Sequence, residues 1–338
     1  MSGIWTIIAA AVSFAIAGIM GLWLVPFLRR LHFGQTILEE GPNWHKGKQG
    51  TPTMGGFMFI VSSIVVTAVC VLLHHFMGMK DGIPPETTLQ MAKVLGGLFM
   101  AAAYGAIGFL DDFVKVAKKR NLGLTPKQKL ALQFFVAIAY LAVMYLFGDD
   151  SKTWIPFVGM VDIGLLYYPI AAVLIVGIVN AVNLTDGIDG LDGSVTFFAG
   201  IFMMLISGYC ARIGLSIMSA ALAGGCLGFL LWNFNPAKTF MGDTGSLYLG
   251  GYLCAVIFGL DMELLLIPIG MIYICEMFSV ILQVTYFKLT HGKRLFKMSP
   301  IHHHFEMCGW SEVKIVIVFS FVETLFCAGA LALVIFGR

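Results

Sequence analysis

Four polar clusters interrupt an otherwise apolar chain of 338 residues, and their residue types suit the handling of phosphate and metal. The first is the pair Asp111 and Asp112, reached through Gly108-Phe-Leu and followed by Lys115. Adjacent carboxylates at the end of an apolar helix oppose its dipole and repel each other, so the pair calls for a cation or a proton-transfer role. A solvated helix end with Lys115 as partner would account for this cluster if it stood alone.

The second cluster runs from Asn180 through Asn183, Asp186-Gly and Asp189-Gly to Asp192-Gly193. Helical spacing would keep its three acids near one face, whereas a turn would let the glycines bring backbone amides close to a ligand. Asp-Gly is ordinary turn chemistry, but a plain connector needs neither three acids nor two asparagines. The third contains Trp232-Asn233-Phe-Asn235-Pro, Lys238, Phe240 and Gly242-Asp243-Thr-Gly-Ser246. A glycine-rich turn opening a helix suits an anion, and an acid at its centre fits a magnesium ligand that bridges to phosphate. Phe240 offers a flat face to a base, although a lone Phe is more often packing.

The fourth cluster is Ser299-Pro-Ile-His302-His303-His304-Phe-Glu306. Consecutive histidines lack the spacing of a helical zinc site, so phosphate binding or proton transfer is the better use, with an exposed basic loop as the plain alternative. Together, carboxylates, imidazoles and lysines make the inventory for magnesium-assisted transfer between phosphates.

The elements that must position these groups are membrane helices. Hydrophobic residues make up 59% of the chain and charged ones 12%, with a mean hydropathy of +0.89, whereas soluble domains carry about 25% charged residues. Ten apolar runs lie near the roughly 20 residues that span a bilayer, at about 4–28, 53–75, 93–110, 130–147, 169–184, 192–209, 214–233, 246–260, 264–288 and 313–336. Without dyad alternation they predict helices rather than a barrel. The run at 4–28 is too long for a signal-peptide core and reads as a retained anchor.

Lys and Arg gather after odd-numbered runs: Arg29, Arg30, Lys46 and Lys48; Lys115, Lys118, Lys119, Arg120, Lys127 and Lys129; Lys288, Lys293, Arg294 and Lys297. The positive-inside rule then predicts an all-α integral membrane protein of ten transmembrane helices with both termini extracytoplasmic and the active site at the cytoplasmic face. The chain reads as one polytopic domain, 1–338, with cytoplasmic loops at about 29–52, 111–129, 185–191, 234–245 and 289–312. Segment 148–168, on the outer side, predicts a short hairpin or re-entrant turn. A net charge of +2 excludes a nucleic-acid partner by simple attraction, and the seven scattered cysteines show no metal-ligand spacing.

At these residues the sequence resembles the phospho-N-acetylmuramoyl-pentapeptide transferase family, within the polyprenyl-phosphate N-acetylhexosamine-1-phosphate transferases. The aspartate clusters carry the superfamily likeness. The segment Thr51-Pro-Thr-Met-Gly-Gly56 and the run Pro300-Ile-His-His-His-Phe-Glu306 favour the muramoyl-pentapeptide branch. The resemblance implies transfer of phospho-N-acetylmuramoyl-pentapeptide from its UDP-linked precursor to undecaprenyl phosphate, yielding lipid I and UMP. It implies a bacterial cytoplasmic membrane enzyme of peptidoglycan synthesis, dependent on Mg2+, in contact with membrane lipid and forming a homodimer.

By the same likeness the metal falls on Asp243, and the catalytic set is Asp111, Asp112, Asp243, His302, His303 and His304. The uridine side falls on Asn183, Asp186, Asp189 and Phe240, together with Lys48 and Lys127. The wider substrate-binding set adds Thr53, Lys115, Asn180 and Asn233. A sibling enzyme moving GlcNAc-1-phosphate would share the aspartates. An ion-coupled transporter would hold its acids near mid-span, and a structural scaffold has no reason to gather acids at one face.

Overall fold

The computed structural model describes residues 2–31, 48, 50–80, 87–117 and 123–337. Lys46, Lys118, Lys119 and Arg120, which bear on orientation, lie outside the described residues, as does most of the 29–52 loop. Helices dominate: α1 (Ser2–Arg30), α2 (Phe57–Lys80), α3 (Thr88–Ala117), α4 (Pro126–Leu146), α5 (Tyr167–Thr185), α6 (Leu191–Tyr209), α7 (Ile213–Asn233), α8 (Gly242–Gly259), the single-turn α9 (Leu266–Ile269), α10 (Met271–Leu289), the short α11 (Ile301–Met307) and α12 (Glu312–Phe336). Between α4 and α5 an antiparallel hairpin pairs β1 (Lys152–Ile155) with β2 (Gly159–Asp162), Lys152 opposite Asp162. This is the hairpin expected from the Pro and Gly of 148–168.

Nine of the helices among the described residues are long and apolar enough to cross a membrane. The expected run at 246–260 corresponds to α8, which is buried from Thr244 to Gly259. It is enclosed by α3 and α5, with α2, α6 and α7 completing the wall. A helix apolar all round is stable only in such a position. The peripheral helices instead expose large apolar side chains, such as Leu22, Phe99, Phe135 and Phe321, as lipid-facing surfaces do.

Two boundaries differ from expectation. The helix of the third run does not stop at residue 110 but continues to Ala117, so Asp111 and Asp112 lie inside α3 rather than in a loop. Partners across the bundle, described below, make that continuation tolerable for two acids at a helix C-terminus. The run at 264–288 is not one helix, since α9 ends at Ile269 and α10 begins beyond Gly270. Glu323 of α12 accepts the Ile272 N–H at 3.1 Å, satisfying a donor that the break would leave unpaired.

The polar clusters meet because the C-terminal ends of α3, α5 and α7 and the N-terminal ends of α4, α6, α8 and α12 lie at the same end of the bundle. Contacts such as Lys129 with Asp243 and Lys48 with both Asp189 and Glu312 record this.

Candidate active site

Backbone proximity of α3 and α8 creates the centre of the site. A Cβ at Gly108 would overlap the Asp243 carbonyl, so only glycine lets the two helices approach there. Gly242 has a φ of +70°, and a Cβ on it would lie 2.5 Å from both Asp112 Oδ2 and Thr53 Oγ1. These two positions bring Asp112 beside the first turn of α8. Its Oδ2 accepts the Thr244 N–H at 3.0 Å and the Thr244 hydroxyl at 2.8 Å. Asp112 thus satisfies one of the unpaired amides of α8 from a neighbouring helix, as an N-cap would.

Asp111, Asp112 and Asp243 each direct a carboxylate oxygen into a space where those atoms lie within 4.8 Å of one another. Asp111 accepts the Leu124 N–H at 2.8 Å and pairs with Lys115 at 2.6 Å. Asp243 pairs with Lys129 at 2.8 Å and Lys115 at 3.1 Å, and accepts from Asn183 Nδ2 at 3.0 Å. Asn183 also donates to Ser246 at 2.7 Å, which fixes its amide. Among the described residues, three carboxylates therefore face two ammonium groups. The surplus negative charge, the oxygen-only donor set and the close spacing fit a hard divalent cation such as Mg2+.

The 186–190 turn joins α5 to α6 beside this cluster. Asp186 is half-buried; desolvation and the carboxylates of Asp243, Asp112 and Asp189 push its carboxyl up to about 8. Its carboxyl is therefore biased toward the protonated form, which can donate a hydrogen bond. Asp189 is braced: it accepts from Lys48 at 2.6 Å and from the Ala237 N–H at 2.9 Å. Asp192 is buried in the first turn of α6, where Thr196 donates to Oδ1 at 3.2 Å.

The other expected residues fall into two groups. Thr53 and Phe240 line the approach, where Phe240 N–H donates to Pro52 and Gly55 N–H to Phe240, each at 2.8 Å, holding the 52–55 segment against the α7–α8 connector. Asn233 is a brace, accepting the Gly190 N–H at 3.1 Å and donating to Thr239 at 2.9 Å. Asn180, one turn before Asn183, instead exchanges hydrogen bonds with Gln133 of α4 at 2.7 and 3.3 Å. Lys127 is exposed on α4, and the α4 lysine that reaches Asp243 is Lys129.

In the histidine run, His302 and His303 lie with ring centroids 4.2 Å apart, and His303 Nδ1 is 2.6 Å from Glu306. His304 is turned away, because its Nδ1 accepts the Lys297 N–H at 3.1 Å and so braces the α10–α11 loop.

Sequence reasoning missed Lys129 and Glu312. Thr125 and Gln128 form a capping box that starts α4 at Pro126, and that signature sets the helix phase placing Lys129, not Lys127, toward α8. Glu312 accepts Lys48 at 2.7 Å and the Asp189 N–H at 3.0 Å, and it was legible only as an acid in a first helical turn.

The fold and site define a polytopic membrane protein with an acidic centre where α3 meets α8, and residues 94–260 match Glycosyl transferase family 4. Three relatives are each described as phospho-N-acetylmuramoyl-pentapeptide-transferase. The Clostridium perfringens protein is 45% identical over 329 residues, covering 96% of both chains. That of Heliobacterium modesticaldum is 44% identical over 94% of this chain and 92% of its own. That of Caldicellulosiruptor bescii is 43% identical over 99% of each. The chain therefore belongs to the phospho-N-acetylmuramoyl-pentapeptide-transferase family and is an enzyme of that transferase class.

Proposed function

We propose that the protein moves phospho-N-acetylmuramoyl-pentapeptide from its UDP-linked precursor to undecaprenyl phosphate, releasing UMP and forming lipid I. The observation that carries this reading is the surplus of carboxylates over lysines at the meeting point of α3 and α8, within a family of this activity. In this reading the chain crosses the bacterial inner membrane ten times, α8 being the central span, with both termini outside and the site at the cytoplasmic face. A soluble nucleotide then enters from water while a lipid phosphate arrives at the boundary. A homodimer is the assembly we propose.

Asp111, Asp112 and Asp243 would hold Mg2+, with Asp243 its principal ligand, and the ion would neutralise charge on the pyrophosphate and the departing UMP. Lys115 and Lys129 sit beside these acids, and exchanging a carboxylate for a phosphate oxygen would let them hold the substrate in line. Asp111 orients the lipid phosphate for attack on the β-phosphorus; a phosphate monoester is largely ionised at neutral pH, so deprotonation is a smaller task than positioning. Half-buried Asp186, with Asn183, Asp189, Lys48, Thr53 and Phe240, frames the uridine side, while His302 and His303 face the transferred phosphates. A two-step path through an aspartyl-phosphate is the rival.

The reading is tested by UMP release from UDP-N-acetylmuramoyl-pentapeptide by purified protein with undecaprenyl phosphate and magnesium. Release that requires lipid and metal supports it. Turnover of UDP-GlcNAc instead would move the chain to the sibling activity, and no turnover by folded protein would refute the assignment.

A further inference from the structure

Behind the histidine segment His302 is paired with a buried acid, Glu276, that none of the four clusters contains. Glu276 belongs to the narrow stripe of α10 that faces the bundle, with Ile272, Tyr273, Ser279 and Gln283. Both Glu276 and His302 are 0% exposed. His302 Nδ1 lies 3.1 Å from Glu276 Oε1, off hydrogen-bond alignment, while the second carboxylate oxygen accepts the His302 backbone N–H at 3.4 Å. One carboxylate thus holds a single residue by ring and backbone.

The far ring nitrogen, Nε2, is buried without a partner among the described residues. It is directed at Gly187, where a Cβ would overlap it, so glycine is required for the imidazole to abut the turn carrying Asp186 and Asp189. A carboxylate and an imidazole withdrawn from water, with polar atoms left unpaired, are destabilising relative to apolar packing. Such an arrangement is retained for positioning, since a carboxylate behind one ring nitrogen fixes the tautomer and aims the other. Titratable groups near the pair among the described residues include His303, held by Glu306, Cys275 beside Glu276, and the two aspartates of the turn that Nε2 abuts.

We propose that Glu276 is a positioning residue: it holds His302 with Nδ1–H toward the carboxylate and Nε2 toward the 186–190 turn, where the ring, protonated on both nitrogens once substrate is bound, donates Nε2–H to an anionic oxygen of the sugar nucleotide. This deepens the phosphotransfer reading and rests on it.

A double-mutant cycle tests it. Glu276→Gln keeps the shape and removes the charge, and is expected to lower kcat by roughly 10- to 100-fold with KM for the lipid little changed. In a His302→Ala background the same change should cost nothing further, because Glu276 acts through the ring. An equal loss in that background would show a structural role and overturn the proposal. The ring is read independently of turnover by 15N NMR of labelled histidine. Wild-type protein should carry the neutral-form proton of His302 on Nδ1, and Glu276→Gln should weaken that preference. A wild-type proton on Nε2 would overturn the proposal even if the variant failed to fold. Should wild-type protein release no UMP from any sugar nucleotide, the phosphotransfer reading fails, and the tautomer still decides whether Glu276 holds the ring.

Discussion

The two ends of the helical bundle both collect acids and lysines, but they balance them differently. At the end opposite the site, buried Lys93 pairs with Asp149 at 2.8 Å and with Asp261, and Arg212 lies 3.9 Å from Asp261. Two cations there face two carboxylates, and a third acid, Glu263, is bonded by Thr153 and by Tyr167 at 2.8 Å. Among the described residues each cation there has a carboxylate, while Glu263 is held by hydroxyls and biased toward its neutral form by burial, and the network ties the hairpin, α3 and α7 to the end of α8. At the site end, three carboxylates compete for Lys115 and Lys129, with Asp186 beside them. A balanced network needs nothing further to be stable, whereas an unbalanced one is complete only with a cation or substrate. Charge near a membrane edge is therefore informative through its imbalance rather than its amount.

Breaking the unbalanced end should abolish chemistry while sparing the fold. Asp243→Asn is expected to lower UMP release by about 10³-fold or more, measured on protein shown to be folded by its thermal unfolding transition. Lys129→Met should cost roughly 10²-fold by loss of a phosphate-facing cation, whereas exposed Lys127→Met should change the rate by less than about threefold. Equal losses for the two lysines would show that the helix phase of α4 has been misread.

The balanced end predicts the reverse. Lys93→Met leaves Asp149 and Asp261 without their buried partner and should destabilise by about 3 kcal/mol, with turnover per folded molecule retained. Unfolding in detergent alongside an assay of the folded fraction separates the two. The smallest effect concerns Glu263, whose carboxyl is pushed from 4.5 up to about 7 by burial. Its folded form binds the proton more tightly than the unfolded chain does. Stability from this group is fully present below pH 4.5 and is lost as pH rises through 7. Glu263→Gln should flatten that part of the profile of thermal midpoint against pH, and an unchanged profile would contradict the assignment.

Much of this site is legible in the sequence because charge is rare in an apolar chain. Asp111, Asp112, Asp186, Asp189 and Asp243 stand out, and the structure gathers their elements at one end. What the sequence hides is which neighbour turns inward. Lys127 and Lys129 differ by two residues, and only the capping box at Thr125 tells them apart. Asn180 and Asn183 share a helical face, yet a one-turn difference in depth gives Asn180 to Gln133 and Asn183 to Asp243. His304 sits in the same run as His302 but folds back onto Lys297. Glu276 and Glu323, acids within apolar runs, carried a readable signal that helical burial alone could resolve. The break near Gly270 was obscured because the sequence stays apolar across it.

The central claim is that the carboxylate surplus at α3 and α8 creates a cation site and that the balanced end does not. The most direct measurement is a titration of the purified protein with Mn2+, read by the loss of its free electron paramagnetic resonance signal, comparing wild type, Asp243→Asn and Asp261→Asn. One ion bound per chain in the wild type and in Asp261→Asn, and none in Asp243→Asn, is the predicted result. Binding that survives Asp243→Asn, or that Asp261→Asn removes, would contradict it.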